Sequence, residues 1–137
     1  MAECVFCKIV AGQLPAAKVH EDELTLAFMD ISAVNPGHVL VTVKPHVENI
    51  YGLDENLAAA AFQTASRVAR ALQRAYTPEG VTVYQSNGAA AGQTVFHFHL
   101  HLVPRYAGDG MRLTWPGKTQ PRDQLDAAAA KLRNALN

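Results

Sequence analysis

Three of the six histidines alternate with apolar residues near position 100 of the chain. They are His97, His99 and His101. Because side chains alternate between the two faces of a β-strand, this spacing predicts that the three imidazoles share one face. The opposite face of the strand would be apolar and would hold Phe96, Phe98, Leu100 and Leu102. Imidazole titrates near neutral pH and serves as nucleophile, proton carrier, metal ligand or hydrogen-bond donor, so this strand is the first candidate for chemistry.

Two other interpretations of the histidine row stay open. One is that the histidines are simply polar residues on a sheet surface, which the strict alternation against an apolar counter-face disfavours. Alternatively, a His-x-His pair on a strand can chelate a catalytic zinc ion. The sequence offers no acidic cluster that would supply a third ligand, which disfavours a metal-dependent hydrolase.

The two cysteines of the chain, Cys4 and Cys7, form a Cys-x-x-Cys pair. A redox pair needs a thioredoxin-like strand-to-helix context, which this part of the sequence does not offer. The pair can also be two free structural thiols, or one half of a tetrahedral zinc site, because a two-residue spacer lets both sulfurs reach one ion.

The elements that position these residues follow from runs of β-type composition separated by turn residues. We predict strands over residues 24–30, 38–43, 81–86 and 96–103, with a short fifth strand over 17–20. Together they would form a mainly antiparallel sheet.

Two segments are predicted to be helices. Asp54 can cap a helix that runs to residue 76, and Asp123 can cap a second helix at the end of the chain. The apolar stripe of the first helix is Leu57, Ala61, Ala65, Val68 and Leu72. The stripe of the second is Leu125, Ala129, Leu132 and Leu136. With a short helical turn over residues 4–10, these elements indicate an α+β fold, a five-stranded sheet with two helices packed on one face.

Composition sets the class of protein. The chain has 137 residues, 49% of them hydrophobic and 18% charged, which favours a single globular domain over a disordered chain. Twelve basic and twelve acidic residues cancel, so charge gives no reason to expect nucleic acid or an anionic membrane as a partner. The sequence lacks an apolar run of roughly 18 residues and a signal-peptide pattern, so we expect a cytoplasmic protein.

Residues 92–105, from Gly92-Gln93-Thr94 to Val103-Pro104-Arg105, resemble the signature of the histidine-triad (HIT) superfamily of nucleotide hydrolases and transferases. The resemblance extends upstream through residues 27–31 and 36–41 and begins at residues 4–10. It implies a single HIT-like domain over 1–137, with a motif-bearing core over about 3–106 and a C-terminal segment with its helix over 107–137.

The resemblance implies nucleotidyl transfer. The middle histidine, His99, would attack the α-phosphorus, and water would then hydrolyse the nucleotidyl-histidine intermediate. The other ring nitrogen of His99 would donate to the carbonyl of His97, which fixes the tautomer. His101 and His38 would supply hydrogen bonds to the phosphate oxygens as negative charge grows.

The resemblance also assigns the neighbouring residues. Gln93 and Thr94 would lie beside the leaving group, where they orient or protonate the departing atom. Asp30 would accept hydrogen bonds from both ribose hydroxyls. Asn87 would be either a phosphate contact or a left-handed turn residue. The rest of the nucleotide-binding set is Val5, Phe6, Ile9, Phe28 and Ile31 around the base, for which core packing is the alternative, and His97.

In relatives that carry an N-terminal Cys-x-x-Cys, two histidines complete a structural zinc site. The resemblance therefore implies a zinc ion held by Cys4, Cys7, His46 and His97. The implied substrate is a small nucleotide, a purine nucleoside phosphoramidate or a dinucleoside polyphosphate, and the implied assembly is a homodimer. A non-catalytic nucleotide-binding or scaffold protein is the alternative function.

Overall fold

A computed structural model of the chain describes residues 3–112 and 114–136. Within them, five strands form one antiparallel sheet in the order β1-β2-β3-β5-β4. The strands are β1 Lys18–Glu21, β2 Thr25–Met29, β3 Val39–Val43, β4 Gly80–Tyr84 and β5 His99–Arg105. The α-helices are α1 Val5–Val10, α2 Glu55–Tyr76 and α3 Arg122–Ala135. The predicted α+β fold is confirmed, and the short turn expected near the N-terminus is a third helix.

Helix α2 has the predicted cap and the predicted apolar stripe. The Asp54 carboxylate accepts a hydrogen bond of 2.8 Å from the Leu57 amide, which satisfies an amide that lacks a partner in the first turn. All five stripe residues are buried against the sheet. Neither α2 nor any other helix in the described part of the chain is long and apolar enough to cross a membrane.

Helix α2 packs on one face of the sheet, as expected, and α1, expected only as a short turn, covers the other face. Helix α2 packs on the face that carries Ala27 and Val41. Helix α1 packs its buried residues Phe6 and Ile9 on the opposite face. The reason is that β2 and β3 are apolar at consecutive positions, so the sheet has an apolar surface on both sides.

Helix α3 begins earlier than predicted. Pro121 is its N-cap, with the extended dihedral angles φ −66° and ψ 156°, and Asp123 lies within the first turn. Asp123 as the capping residue is therefore wrong. The stripe residues Leu125, Leu132 and Leu136 are exposed, so α3 has no apolar packing against the sheet.

Strand β5 is shifted toward the C-terminus relative to the prediction. Phe98 precedes it and donates its amide to the Val47 carbonyl (2.6 Å), while Phe96 is 42% exposed and does not join the apolar face. The strand continues through Pro104, because β3 no longer pairs with β5 beyond Leu102. The Pro104 carbonyl accepts a hydrogen bond from the Asn35 side chain instead, so no strand neighbour requires the amide that proline lacks.

Candidate active site

His99 opens strand β5, which lies between β3 and β4, and is held as one tautomer. Its Nδ1–H donates to the His97 carbonyl (2.6 Å), since a carbonyl can only accept, and the lone pair therefore lies on Nε2. The ring is buried and meets the edge of the Phe6 ring at 4.9 Å between centroids. Burial lowers the pKa of His99, with the bond to His97 opposing this, so the ring is neutral near pH 7. A neutral imidazole with a free Nε2 is a competent nucleophile.

His38 and His101 form a hydrogen-bonded relay beside it. The Val34 amide donates to Nδ1 of His38 (3.1 Å), so the proton of the neutral His38 ring lies on Nε2. That Nε2–H donates to Nδ1 of His101 (3.0 Å), which places the His101 proton on its own Nε2. Among the described residues this last N–H has no hydrogen-bond partner, so it is available to an oxygen of a ligand.

Asp30 follows β2, and its carboxylate lies beside His38 and His101. One carboxylate oxygen accepts from the Ser32 amide (2.8 Å), and the other lies 3.4 Å from Nε2 of His38 and 3.9 Å from Nδ1 of His101. These three ligand-type atoms are close enough for one metal ion. However, the Val34 amide keeps the proton on Nε2 of His38, the atom that would have to bind the metal. The arrangement therefore favours a hydrogen-bonded cluster over the metal-dependent hydrolase.

An apolar cluster borders the histidines. Phe6, Ile9 and Phe28 are buried in it, and the rings of Phe6 and Phe28 meet edge to face at 5.2 Å. Val5 is 40% exposed at its rim, and Ile31 is fully exposed. The structure thus brings together three of the five predicted base-pocket residues and leaves Ile31 outside the cluster.

Gln93 is buried, and backbone groups satisfy its amide. Its Nε2 donates to the carbonyls of Glu48 (2.7 Å) and Val95 (3.2 Å), and its Oε1 accepts from the Gly88 amide (2.7 Å). Both donors are therefore used to join the segment that follows β3 to the segment before β5. Gln93 therefore holds two loops together, and neither N–H of its side-chain amide is left for a leaving group.

Thr94 and Asn87 also differ in whether their side chains are free to meet a ligand. Thr94 is exposed and lines a surface groove of about 500 Å³ together with Cys4 and Val5. Asn87 is held by its neighbours, because its Oδ1 accepts from the Ile50 amide (2.8 Å) and its amide pairs with the Gln85 side chain. Its backbone is not left-handed, since among the described non-glycine residues only Thr77 has a positive φ. The left-handed turn interpretation of Asn87 is therefore wrong.

The second cluster consists of Cys4, Cys7, His46 and His97, whose ligand atoms all lie within 4.8 Å of one another. Cys4 caps α1, and His97 precedes β5, with its ring 6.0 Å from Phe6 on the same side of the sheet as His99. The His97 Nε2–H donates to the Val43 carbonyl (2.7 Å), so the Nδ1 lone pair faces the sulfurs of Cys4 (3.4 Å) and Cys7 (3.5 Å).

The dimensions of this second cluster fit zinc. Cys7 Sγ is 3.2 Å from Nδ1 of His46. A tetrahedral zinc ion with ordinary bond lengths separates sulfur and nitrogen ligands by about 3.6 Å. The donor set of two thiols and two imidazoles is also one that zinc prefers. With four protein ligands such a site is closed, which is typical of a structural ion.

Sequence reasoning missed one side chain and two backbone groups at the site. Tyr84 stacks on His101 with parallel rings, and its signal was present, because its strand was predicted and alternation places it on the site face. The Val34 amide and the Val43 carbonyl set histidine tautomers, but backbone groups leave no trace in residue types.

Comparisons with known proteins agree with this geometry. The HIT domain model matches residues 11–108 of the chain. A crystal structure of a HIT family protein from Bacillus anthracis has a TM-score of 0.95 to this fold and 40% sequence identity, and the match covers 98% of each chain.

Two further relatives bear on chemistry. A Schizosaccharomyces pombe protein named adenosine 5'-monophosphoramidase is 32% identical over 134 residues, which is 97% of this chain and 98% of that protein. The crystal structure of a zinc-bound histidine triad family protein from Mycobacterium smegmatis has a TM-score of 0.77 and 36% identity, with coverage of 98% of this chain and 99% of that chain.

Acid should destabilise the fold through the relay. Burial lowers the pKa of both His38 and His101, that of His101 to about 4, whereas an unfolded histidine titrates near 6.5. Between these values the unfolded chain binds more protons, so stability that is complete above about pH 6.5 is lost as the pH falls toward 4. We expect the free energy of unfolding to drop by roughly 1–3 kcal/mol over that window, measured by urea denaturation. His101→Asn should flatten the slope, and an equal slope in this variant would contradict the assignment.

Proposed function

The chain belongs to the HIT family of nucleotide hydrolases, and from this we propose that it cleaves at the α-phosphate of a purine nucleoside phosphoramidate or dinucleoside polyphosphate. The observation that carries the proposal is the fixed tautomer of His99, which leaves Nε2 free. Beside it lies the Nε2–H of His101, which has no partner in the part of the chain that the structure describes. The phosphoramidase relative supports the choice of phosphoramidates as first substrates to test.

In the first step, Nε2 of His99 donates its lone pair to the α-phosphorus. A nitrogen–phosphorus bond forms and the bond to the leaving group breaks. The leaving atom keeps that electron pair and takes a proton from solvent. The Nδ1–H of His99 stays on the His97 carbonyl, which stabilises the positive charge on the substituted ring. The Nε2–H of His101 donates to a phosphate oxygen as its charge grows.

In the second step, water attacks the same phosphorus and the bond to His99 breaks. The products are a nucleoside monophosphate and the free, neutral imidazole, and the proton of the water goes to solvent. Because Nδ1 of His99 never changes its partner, the ring returns to the tautomer with which it began. Thr94, exposed beside the groove, is the residue we assign to the leaving group.

The nucleoside would lie between Asp30 and the apolar cluster. One Asp30 oxygen is occupied by the Ser32 amide, and the other faces the relay, where it can accept from a ribose hydroxyl. Phe6, Ile9 and Phe28 offer an apolar, aromatic surface on which a purine ring would pack. Asn87, engaged with Gln85, contributes by holding its loop.

We also propose that the cluster of Cys4, Cys7, His46 and His97 holds structural zinc. The sulfur–nitrogen distances of 3.2–3.5 Å, the orientation of the His97 lone pair and the zinc-bound relative support this. Bound zinc would tie α1, the segment after β3 and the start of the histidine motif together.

A homodimer is the proposed assembly, and a cytoplasmic location stays a prediction from composition. Two exposed apolar side chains support the dimer: Phe62, 58% exposed on the outer face of α2, and Val83, 45% exposed on the edge strand β4. Pairing two copies along β4 would satisfy the unpaired backbone groups of that edge.

The dimer should be visible in light scattering. At micromolar concentration we expect twice the 14.8 kDa chain mass, and Phe62→Glu should shift the population toward monomer by placing a charge in the interface. A monomer in the unmodified protein would contradict the proposal.

Zinc should be measurable by elemental analysis at about one ion per chain. Cys4→Ser with Cys7→Ser removes both thiolate ligands and should lower the zinc content and the melting temperature together, because binding at a structural site stabilises the fold. His20→Asn, a histidine outside the cluster, is the control and should retain zinc. Full zinc content in the double variant would show that the ion is bound elsewhere.

His99→Ala should lose about 10⁴- to 10⁶-fold in turnover of an adenosine phosphoramidate, because it removes the nucleophile. His101→Asn should lose about 10²- to 10³-fold, because it removes one donor to the phosphate. Rapid quench without acid should trap an adenylyl mass increment on the peptide that contains His97, His99 and His101, and this adduct should be missing in His99→Ala.

The contrary outcomes are separable. An adduct that persists in His99→Ala would place the nucleophile at another residue. A wild-type protein that binds adenosine monophosphate but turns over neither phosphoramidates nor diadenosine polyphosphates would support the non-catalytic nucleotide-binding alternative.

A further inference from the structure

Tyr84 forms the flattest aromatic contact described in the protein. It lies on β4 directly opposite His101 in the antiparallel register, so both side chains emerge on the same face of the sheet. Their rings are 4.1 Å apart between centroids and only 5° from parallel. The neighbouring rings of His38 and His99 meet His101 at tilts of 52° and 55° and at longer distances, 5.2 and 4.9 Å.

His101 needs such a contact, because within the described residues a single hydrogen bond anchors its ring. Nδ1 accepts from His38, and this fixes one atom of the ring but leaves rotation about that anchor open. The catalytically useful atom is Nε2, which lies on the far side of the ring from the anchor. A small rotation of the ring plane therefore moves the Nε2–H away from any oxygen it should meet.

From this we propose that Tyr84 is a positioning residue for the phosphate-binding donor: its ring holds the plane of His101 so that the Nε2–H faces the substrate phosphate. The inference rests on the proposed function for the identity of that phosphate. The link between Tyr84 and His101 depends only on the positions of their two rings.

The chemistry of the surroundings indicates that the Tyr84 ring, and not an ionised hydroxyl, performs this role. Burial and the Asp30 carboxylate raise the pKa of Tyr84, so the phenol stays neutral. His101 is faced by His99 on its own strand, by His38 just before β3, by Asp30 after β2 and by Tyr84 on β4. Burial, with His99 and His38, keeps His101 neutral, while Asp30 opposes this. Two neutral rings in a flat stack are held by packing area and not by charge.

Two arms test the proposal. In the first, ¹⁵N NMR of the histidine side chains follows the tautomer and the titration of His101 in the full chain, with no substrate present. Wild type and Tyr84→Phe should show one tautomer with the proton on Nε2. Tyr84→Leu and Tyr84→Val should show an averaged His101 ring whose titration midpoint moves up toward the ordinary histidine value, because water reaches the uncovered face. Two aliphatic variants are used so that a folding defect in one leaves the other informative.

In the second arm, the same variants are assayed with an adenosine phosphoramidate. Tyr84→Leu should lower kcat by about 10- to 100-fold with KM nearly unchanged, since a misdirected donor is felt mainly in the transition state. Tyr84→Phe should stay within about threefold of wild type. Val81→Ala, on the same strand but the opposite face, is the control and should change neither readout.

The outcomes are distinguishable from failure of the proposed function. If wild type turns over no nucleotide, the proposed function fails, and the NMR arm alone decides whether Tyr84 holds His101. An unchanged His101 tautomer and titration in both aliphatic variants would overturn the inference. A loss in Tyr84→Phe as large as in Tyr84→Leu would also overturn it, because the hydroxyl would then be the active group.

Discussion

Backbone amides and carbonyls fix the protonation pattern of the candidate site, because each has only one hydrogen-bonding role. An amide can only donate and a carbonyl can only accept, so an imidazole nitrogen facing either has no choice of proton. The carbonyl of Val43 accepts from the His97 ring, and the carbonyl of His97 accepts from the His99 ring. The amide of Val34 donates to the His38 ring. His38 then determines His101. The free lone pair of the nucleophile and the free N–H of the donor are both consequences of where the sheet places these groups.

This pattern depends on close backbone approach around the His38 turn. Gly37 has a φ of +94°, which side chains rarely tolerate, and a Cβ there would stand 3.0 Å from Pro104 and 3.1 Å from Tyr76. The turn therefore packs against the end of β5 and the end of α2 at once. The same packing brings Asn35 to the Pro104 carbonyl, so one glycine links the core packing of α2 to the orientation of the relay.

The fold was largely predictable, since it follows from residue periodicity. Alternation along the histidine motif placed His99 and His101 on one face, and the stripe of α2 predicted its buried side correctly. Sequence patterns are less informative where hydrogen bonds outside the sheet set the position of a residue. Phe96 lies before the first residue of β5 and is exposed, and the side-chain amide of Gln93 bonds to the backbone of Glu48, Val95 and Gly88. The contact between Gln93 and Glu48 joins residues 45 positions apart in the chain, and no local pattern encodes it.

The partner of the nucleophile is a main-chain carbonyl, and this has an evolutionary consequence. The side chain of His97 faces the cysteine cluster, while its carbonyl holds His99. Every amino acid supplies the same carbonyl at that position, whatever its side chain. A lineage can therefore exchange His97, abandon the cysteine cluster and still inherit the atom that orients the nucleophile. Selection can therefore act separately on the two groups of this residue. The side chain is free to change, whereas the carbonyl is present with any amino acid.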